Sequence, residues 1–475
     1  MTLLQILVFI PAAAAAGAFL KPGRRALILV AFSLVALFWL QPAMPIRAMD
    51  FWMPVATIAL TLVTWLAVRA PDEPLRAGWP VLALIAGALV LLSLTRSVDA
   101  LCCLGPTPPP GLVPVGASLV IIALIAAAVI GLKPGNRWLL ATLIGLLLGL
   151  LVVVKTDALA GWASGLLRSL EGQSASEASP LDIRWLGISY IAFRLIHTLR
   201  DRQLGRLPKL SLAEYVSYVI FFPTLTAGPI DRAERFVKDF DKPGVTSAPV
   251  ALEAGRRIAV GLFKKFVLAD SLALFALSAA NAGQTSSTGW LWLMVYGYAF
   301  RIYFDFAGYS DIAIGLGRLA GFSIPENFDR PYLKTTLTAF WNSWHITLAT
   351  WIRSYYFFPV SRALQTRLPR APIPLLIAFC QITTMILIGL WHGVTLNFAI
   401  WGLWHGVGLF IHNRYAAATR FQAKSLATRP WLRRAVDAVC VLAVFHYVAL
   451  GWVWFALPGV DQSWRVLMGL FGIHL

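Results

Sequence analysis

Charge is what this 475-residue chain has least of: 13% of its residues are Asp, Glu, Lys or Arg, about half the roughly 25% of a soluble domain. So small a polar inventory cannot cover a water-soluble surface, which excludes an ordinary soluble enzyme. Acidic side chains are the scarcer sign, 22 against 40 basic ones. The surplus of cations does not imply nucleic acid. They sit mostly in short loops between apolar runs, where they set membrane topology and face anionic lipid headgroups. Four cysteines (Cys102, Cys103, Cys380 and Cys440) lack metal-ligand spacing, and the Cys102-Cys103 pair is expected to be incidental. There is no Gly-x-Ser-x-Gly elbow, no His-Glu-x-x-His zinc helix and no Gly-x-x-x-x-Gly-Lys phosphate loop. Those absences remove the commonest nucleophile, metal and nucleotide sites. No internal repeat and no linker between soluble domains is visible.

Long apolar runs fill the space that charge leaves. Ala26–Met44, Phe51–Val68, Val113–Leu132 and Trp138–Val154 approach or reach the length needed to cross a hydrocarbon core of about 30 Å. Leu3–Leu20 has no Lys or Arg before it, while Lys21, Arg24 and Arg25 follow. That order is opposite to a signal peptide, so the segment is expected to be a retained helix whose C-terminal end faces the cytoplasm. The early loops alternate in basic content, with Lys21–Arg25, Arg69–Arg76 and Lys133–Arg137 the richer ones. Placing those inside puts six helices before Lys155 and an external loop at Thr156–Asp182. Arg184–Leu199 then returns to a cytoplasmic basic loop at Arg200 to Lys209.

Simple alternation fails after that point. Ala213–Gly228 is largely apolar, yet basic residues flank it on both sides, and it contains Pro223 and ends at Gly228-Pro229. A segment that dips in and returns satisfies both flanks, since broken backbone at membrane depth is tolerated where protein or water covers it. Phe340–Val360 shows the same conflict, which places His345 near the cytoplasmic side. Pro372–Leu390 crosses outward, His392 follows, and Val394–Phe410 returns to a basic loop at Arg414 to Arg434. A hairpin with His392 in its bend is expected, then a crossing at Val436–Phe455 and a short tail. The expected fold class is all-α, a polytopic integral membrane protein with about ten to twelve segments, re-entrant ones included.

Chemistry concentrates in the second half. Phe304 to Asp311 places Asp305 and Asp311 in an apolar stretch, where ionisable groups mark functional sites by default. Their bland reading is a helix cap or a pair with Arg301 or Arg318. Phe340-Trp341-Asn342-Ser343-Trp344-His345 continues to Trp351-Ile352-Arg353. The run from Ile386 to Phe410 has no charged residue but carries Trp391-His392-Gly393 and Trp404-His405-Gly406. Gly389, Gly393, Gly402 and Gly406 permit close backbone approach, and those beside His392 would make room for an acceptor. His405 and His412 read as hydrogen-bonding braces of the hairpin. His392 and His345 each follow Trp in a region of irregular backbone and are the candidates for chemistry. With no evident nucleophile, direct acyl transfer is the economical reaction, a histidine taking a proton from an acceptor hydroxyl. Asn342 or Trp indole N–H groups would hold the oxyanion.

These motifs resemble the membrane-bound O-acyltransferase family, in its bacterial branch of alginate O-acetylases and teichoic-acid D-alanyl transferases. The similar stretches are Gly187-Ile188-Ser189-Tyr190, Phe221-Phe222-Pro223 through Ala227-Gly228-Pro229-Ile230, Phe304 to Leu316, Pro325 to Tyr332, Phe340 to Leu348, and Gly389 to Gly393. The chain departs from that branch at Ser343, Ser354 and Leu396, and its first 180 residues offer no quotable motif of the branch's usual opening. The resemblance implies helices around a central tunnel and the family's histidine pair at His345 and His392, with His392 catalytic. The polar and aromatic clusters around that pair supply the substrate-binding candidates: Asn342, Trp341, Trp344, Trp391, Asp305, Asp311 and Arg353. The resemblance also implies no bound cofactor, and a cytoplasmic donor that is acyl-CoA or an acylated carrier protein. The acceptor would be an exported polysaccharide or a periplasmic partner, and the location a bacterial inner membrane. The expected organisation is N-terminal transmembrane helices at 1–183, a catalytic core at 184–415, and a C-terminal cytoplasmic loop with closing helices at 416–475. Acylation of a lipid or small-molecule hydroxyl is the alternative acceptor chemistry. A proton-coupled transporter is the alternative class, disfavoured by the lack of repeated halves.

Overall fold

The apolar runs become helices. The computed structural model describes residues 2–18, 22–98, 102–240, 242, 247–419 and 429–473. In order these form α1 (Leu3–Ala18), α2 (Pro22–Trp39), α3 (Met49–Val68), α4 (Trp79–Leu94), α5 (Leu112–Ile130), α6 (Arg137–Lys155), α7 (Asp157–Leu170), α8 (Ile188–Gln203), α9 (Leu212–Val219) and α10 (Ala233–Val237). There follow α11 (Ala248–Leu262), α12 (Asp270–Ala273), α13 (Thr288–Leu319), α14 (Leu337–Trp341), α15 (Ile346–Ile352), α16 (Phe358–Arg367), α17 (Ile373–His392), α18 (Leu396–Ala418), α19 (Pro430–Ala456) and α20 (Val460–Gly469). No strand occurs among the described residues; a single bridge joins Phe328 to Trp344. Much of the basic loop expected at Arg414 to Arg434 lies outside the described residues.

The chain divides into two units, Met1–Ile258 with Ile312–Pro325, and Ala259–Asp311 with Glu326–Leu475. In the first unit the expected six helices precede Lys155. Helix α3 has 72% of its apolar window buried, whereas α5, with the higher mean hydropathy of 2.7, has 6% buried. A helix apolar all round and exposed all round needs lipid as its solvent.

The segment expected to dip is broken as its Pro and Gly content predicted. Helix α9 has only eight residues and gives way to a short 3-10 turn at Phe222–Thr224. Such an end leaves carbonyls without intrahelical partners. Arg194 of α8, fully buried, supplies the donors. Its guanidinium donates to the carbonyls of Tyr218 (3.1 Å), Val219 (2.7 Å) and Thr224 (3.0 Å) and to the Thr224 hydroxyl (2.6 Å). Gly187, the left-handed residue capping α8 (φ 62°), lies so close to the break that a Cβ there would sit 2.2 Å from the Leu225 carbonyl oxygen. Arg25 plays a similar part, donating to the carbonyls of Asp239, Lys242 and Ala320.

The expected loop at Thr156–Asp182 is instead helical over α7. Its polar residues disguised an amphipathic stripe, Ala160, Ser164 and Arg168, which is buried. Asp182 closes that stripe, accepting from the Ser164 hydroxyl (2.7 Å) and pairing with Arg168 (2.9 Å). Burial alone would raise the Asp182 carboxyl; the Ser164, Arg168 and Ser179 donors offset this and leave it below its usual value.

In the second unit α17 and α18 form the expected hairpin. Added Cβ atoms at Gly389, Gly402 and Gly406 would come within 2.1, 2.5 and 2.7 Å of the partner helix's backbone, so these glycines set the interhelical spacing. Gly393 corrects an expectation: the space beside it is taken by the Phe398 ring, 2.8 Å from where a Cβ would stand.

Candidate active site

The site lies within the second unit, where the polypeptide stops being helical at Asn342 and resumes at Ile346. His345 makes the turn. Its φ of 44° is left-handed, and it is the N-cap of α15, its Nδ1 accepting the Leu348 N–H at 3.3 Å. A left-handed non-glycine residue costs about 1–3 kcal/mol and persists only when its surroundings hold it. Asn327, fully buried, does the holding. Its carbonyl accepts the Ile346 N–H (3.0 Å) and its side-chain oxygen accepts the Thr347 hydroxyl (2.8 Å) and N–H (3.3 Å). Asp329 N–H adds a bond to the Ser343 carbonyl (3.0 Å). The only local signal for Asn327 is that it is a polar residue inside the turn-rich Pro325–Tyr332 motif.

Rings assemble around the two imidazoles. His345 is buried, with Phe306 at 4.7 Å and Trp391 at 6.2 Å between centroids. Trp391 meets the His392 ring at 4.5 Å, so one indole touches both histidines. His392, the last residue of α17, is half-buried among Phe398 (6.0 Å), Trp401 (5.9 Å) and Phe455 (4.7 Å).

Below this pair is a cavity of about 260 Å³. Helix α17 contributes Gln381, Thr384, Met385 and Ile388, one face at helical spacing, and His392 stands one turn beyond Ile388. Ala349 and Arg353 line the other wall, and His345 stands one turn before Ala349. Trp341 and Asn342 complete it, and Arg353 donates to the Asn342 side-chain oxygen at 2.6 Å. Among the described residues the Trp341 Nε1, Gln381 Oε1 and Thr384 Oγ1 atoms have no hydrogen-bond partner. Three sequence-named residues thus meet in one cavity. Gln381 and Thr384 escaped notice because isolated polar residues on an apolar helix carry no signature.

Other residues named from sequence lie elsewhere. Trp344 is buried in an aromatic wall, 5.1 Å from Phe328 and 5.0 Å from Trp452. Asp305 pairs with Lys265, and Asp311 with Lys264 at 2.6 Å. These lysines belong to a π-helical stretch at Phe263–Ala269, and replace the Arg301 and Arg318 partners expected from sequence; Arg318 pairs with Glu253 instead. His405 also departs from expectation. It is fully buried, yet neither ring nitrogen has a hydrogen-bond partner among the described residues. It packs between Trp341 of α14 and Trp401 of its own helix, each at 5.0 Å, and so ties α18 to α14 by ring contact, not to α17. Among the described residues no His, Cys, Asp and Glu cluster could hold a metal.

Long apolar helices, with a left-handed histidine in the turn between the short helices α14 and α15 beside a cavity, define a multi-pass membrane protein with a buried imidazole site. The chain belongs to the membrane-bound O-acyltransferase (MBOAT) family, whose model matches residues 184–454. It is similar to the probable alginate O-acetylase AlgI of Azotobacter vinelandii, 36% identical over 287 residues, covering 60% of this chain and 53% of the relative. It is similar to a peptidoglycan O-acetyltransferase of Helicobacter pylori, 34% identical over 55% of this chain and 47% of the relative. A teichoic acid D-alanyltransferase of Streptococcus thermophilus is 32% identical over 49% of this chain and 58% of the relative. The chain spans about half the length of these curated relatives.

Proposed function

We propose that this protein is a membrane O-acyltransferase of a bacterial inner membrane, moving an acyl group, acetyl in our reading, from a cytoplasmic thioester to a hydroxyl of an exported polysaccharide or of a periplasmic partner. The named relatives act on alginate, peptidoglycan and teichoic acid, all extended polymers, which supports a polymeric acceptor. The donor is an acyl-CoA or an acylated carrier protein. Its acyl arm enters the 260 Å³ cavity past Arg353, whose guanidinium suits a phosphate.

His392 is the general base. The acceptor oxygen attacks the thioester carbonyl carbon, its proton passes to His392, a C–O bond forms and the C–S bond breaks. The thiolate leaves and takes up the proton. The observation that carries the division of labour is the bond to His345 Nδ1. Because that nitrogen accepts the Leu348 N–H, the proton of the neutral ring is on Nε2. His345 is thereby a donor, suited to orient the thioester or hold its oxyanion, and poorly suited to act as base. Trp341 and Asn342 offer further donors. Asp305 and Asp311 are paired with Lys265 and Lys264, which supports structural roles for these carboxylates over a proton relay.

The test incubates purified protein with radiolabelled acetyl-CoA, an acetylated carrier protein and candidate glycans. His392→Ala should abolish transfer in protein that still melts cooperatively. Undiminished transfer by that variant would overturn the mechanism.

A further inference from the structure

The first unit holds a cavity of about 510 Å³ among α3, α4 and α5. Leu82, Ala86 and Leu89 of α4 and Leu119, Ala126 and Ile130 of α5 line it at helical spacing, with α3 as the floor. Ala83 and Ala123 in its walls are exposed, so it opens toward the hydrocarbon. From Leu119 to Ile130 the wall runs roughly 16 Å at 1.5 Å per residue, about half of a 30 Å hydrocarbon core. Arg76 is the one charged residue of the lining among those described, in the 3-10 turn Leu75–Gly78 that leads into α4. Arg76 is exposed, and its guanidinium has no ion pair or hydrogen bond among the described residues. Asp72, four residues before it, is taken by Lys209. Trp79, 66% exposed, stands one turn further on at the same end. The Trp65 indole is already engaged by the Leu210 carbonyl (3.0 Å).

We propose that this cavity holds one acyl chain of an anionic phospholipid of the cytoplasmic leaflet, with the lipid phosphate on the Arg76 guanidinium. An apolar slot with a single cation at one end matches an amphiphile with a single anion at one end. The slot is as long as one leaflet's share of the core, and its volume falls in the range of about 300–1,000 Å³ usual for ligand cavities. The guanidinium fork fits phosphate oxygens two at a time, and its exposure leaves it open to them. Trp79 marks the headgroup level, where indoles collect. The basic content of the Arg69–Arg76 loop puts that end inside, facing the leaflet that carries anionic lipid. A second copy is the poorer occupant. Docked on the same face about an axis along the membrane normal, it would bring its own Arg76 to the same level, cation beside cation.

Native mass spectrometry of the full chain in detergent tests this with phosphatidylglycerol and with diacylglycerol of the same chains, which lacks the phosphate. Phosphatidylglycerol should be retained as a one-to-one adduct. Diacylglycerol should bind roughly tenfold more weakly, the lower weight of a hydrogen bond to a charged group. Arg76→Gln should weaken phosphatidylglycerol to the same degree and leave diacylglycerol unchanged. Ala123→Trp, at an exposed position in the wall, should fill the slot and remove both adducts. Glycerophosphoglycerol, the headgroup without chains, should not displace the lipid. Equal retention of the two lipids by the unaltered protein, displacement by the free headgroup, a phosphatidylglycerol adduct that survives either substitution undiminished, or a protein dimer in place of the lipid adduct would each overturn the proposal.

Discussion

At His345, backbone and side chain ask for different replacements, and this separates folding from chemistry. Asparagine tolerates left-handed φ and is among the best N-caps. His345→Asn should therefore keep the melting temperature within a few degrees while losing the ring's Nε2 donor. His345→Ala loses the cap as well, about 1 kcal/mol, and should melt lower. If both variants retain full transfer, His345 has no part in the reaction. The loss of transfer in His392→Ala should be at least about 10²–10⁴-fold, the usual contribution of a general base. Asn327→Ala removes the acceptor for both Thr347 groups, and should lower melting and activity together. The histidines were legible because imidazole is rare in apolar runs. Asn327 was not, because its partners are about twenty residues away and sequence does not report which backbone a side chain will meet.

Helix pairing is decided by glycine in the α17–α18 hairpin. Gly402→Ala would place a Cβ 2.5 Å from the Met385 carbonyl oxygen, an overpacking cost of about 1–3 kcal/mol. Gly145→Ala on α6 meets nothing within 4 Å and should be neutral or stabilising by up to about 1 kcal/mol. A thermal melt of both variants in detergent checks the contrast, and equal melting would refute the close-packing account. The hairpin and the break after α9 were readable from sequence, since glycine, proline and basic flanks are local signals. The α7 helix was missed because its polar composition masked the Ala160, Ser164, Arg168 periodicity. The Lys264 and Lys265 partners of the carboxylates were missed for another reason: ion pairs forty or more residues apart leave no local trace.

The molecule as a whole is a set of lipid-facing helices carrying a more polar site. Basic loops predict which side each end faces. Cysteine labelling in spheroplasts, on a chain with its native cysteines replaced, should find Gln173–Ser179 external and Ala416–Leu432 cytoplasmic. Labelling of both from one side would refute the threading. The fold class followed from composition alone, because too few charges leave no other solvent than lipid.

Arg194 is made before the groups that need it. Its acceptor carbonyl at Val219 is 25 residues downstream, so at about 5–20 residues per second the ribosome delivers the cation seconds ahead of its partners. During that interval α8 carries an unpaired guanidinium, which costs roughly 2.5–3.5 kcal/mol at mid-bilayer. Helix α8 should therefore wait beside the insertion machinery until α9 emerges. Nascent chains stalled with Leu204 just clear of the ribosome should crosslink to the translocon through α8, and chains stalled past Pro229 should not. With Arg194→Leu, α8 should leave early and the finished protein should misfold. The sequence thus orders its own assembly, with the donor made first and the broken helix folded onto it.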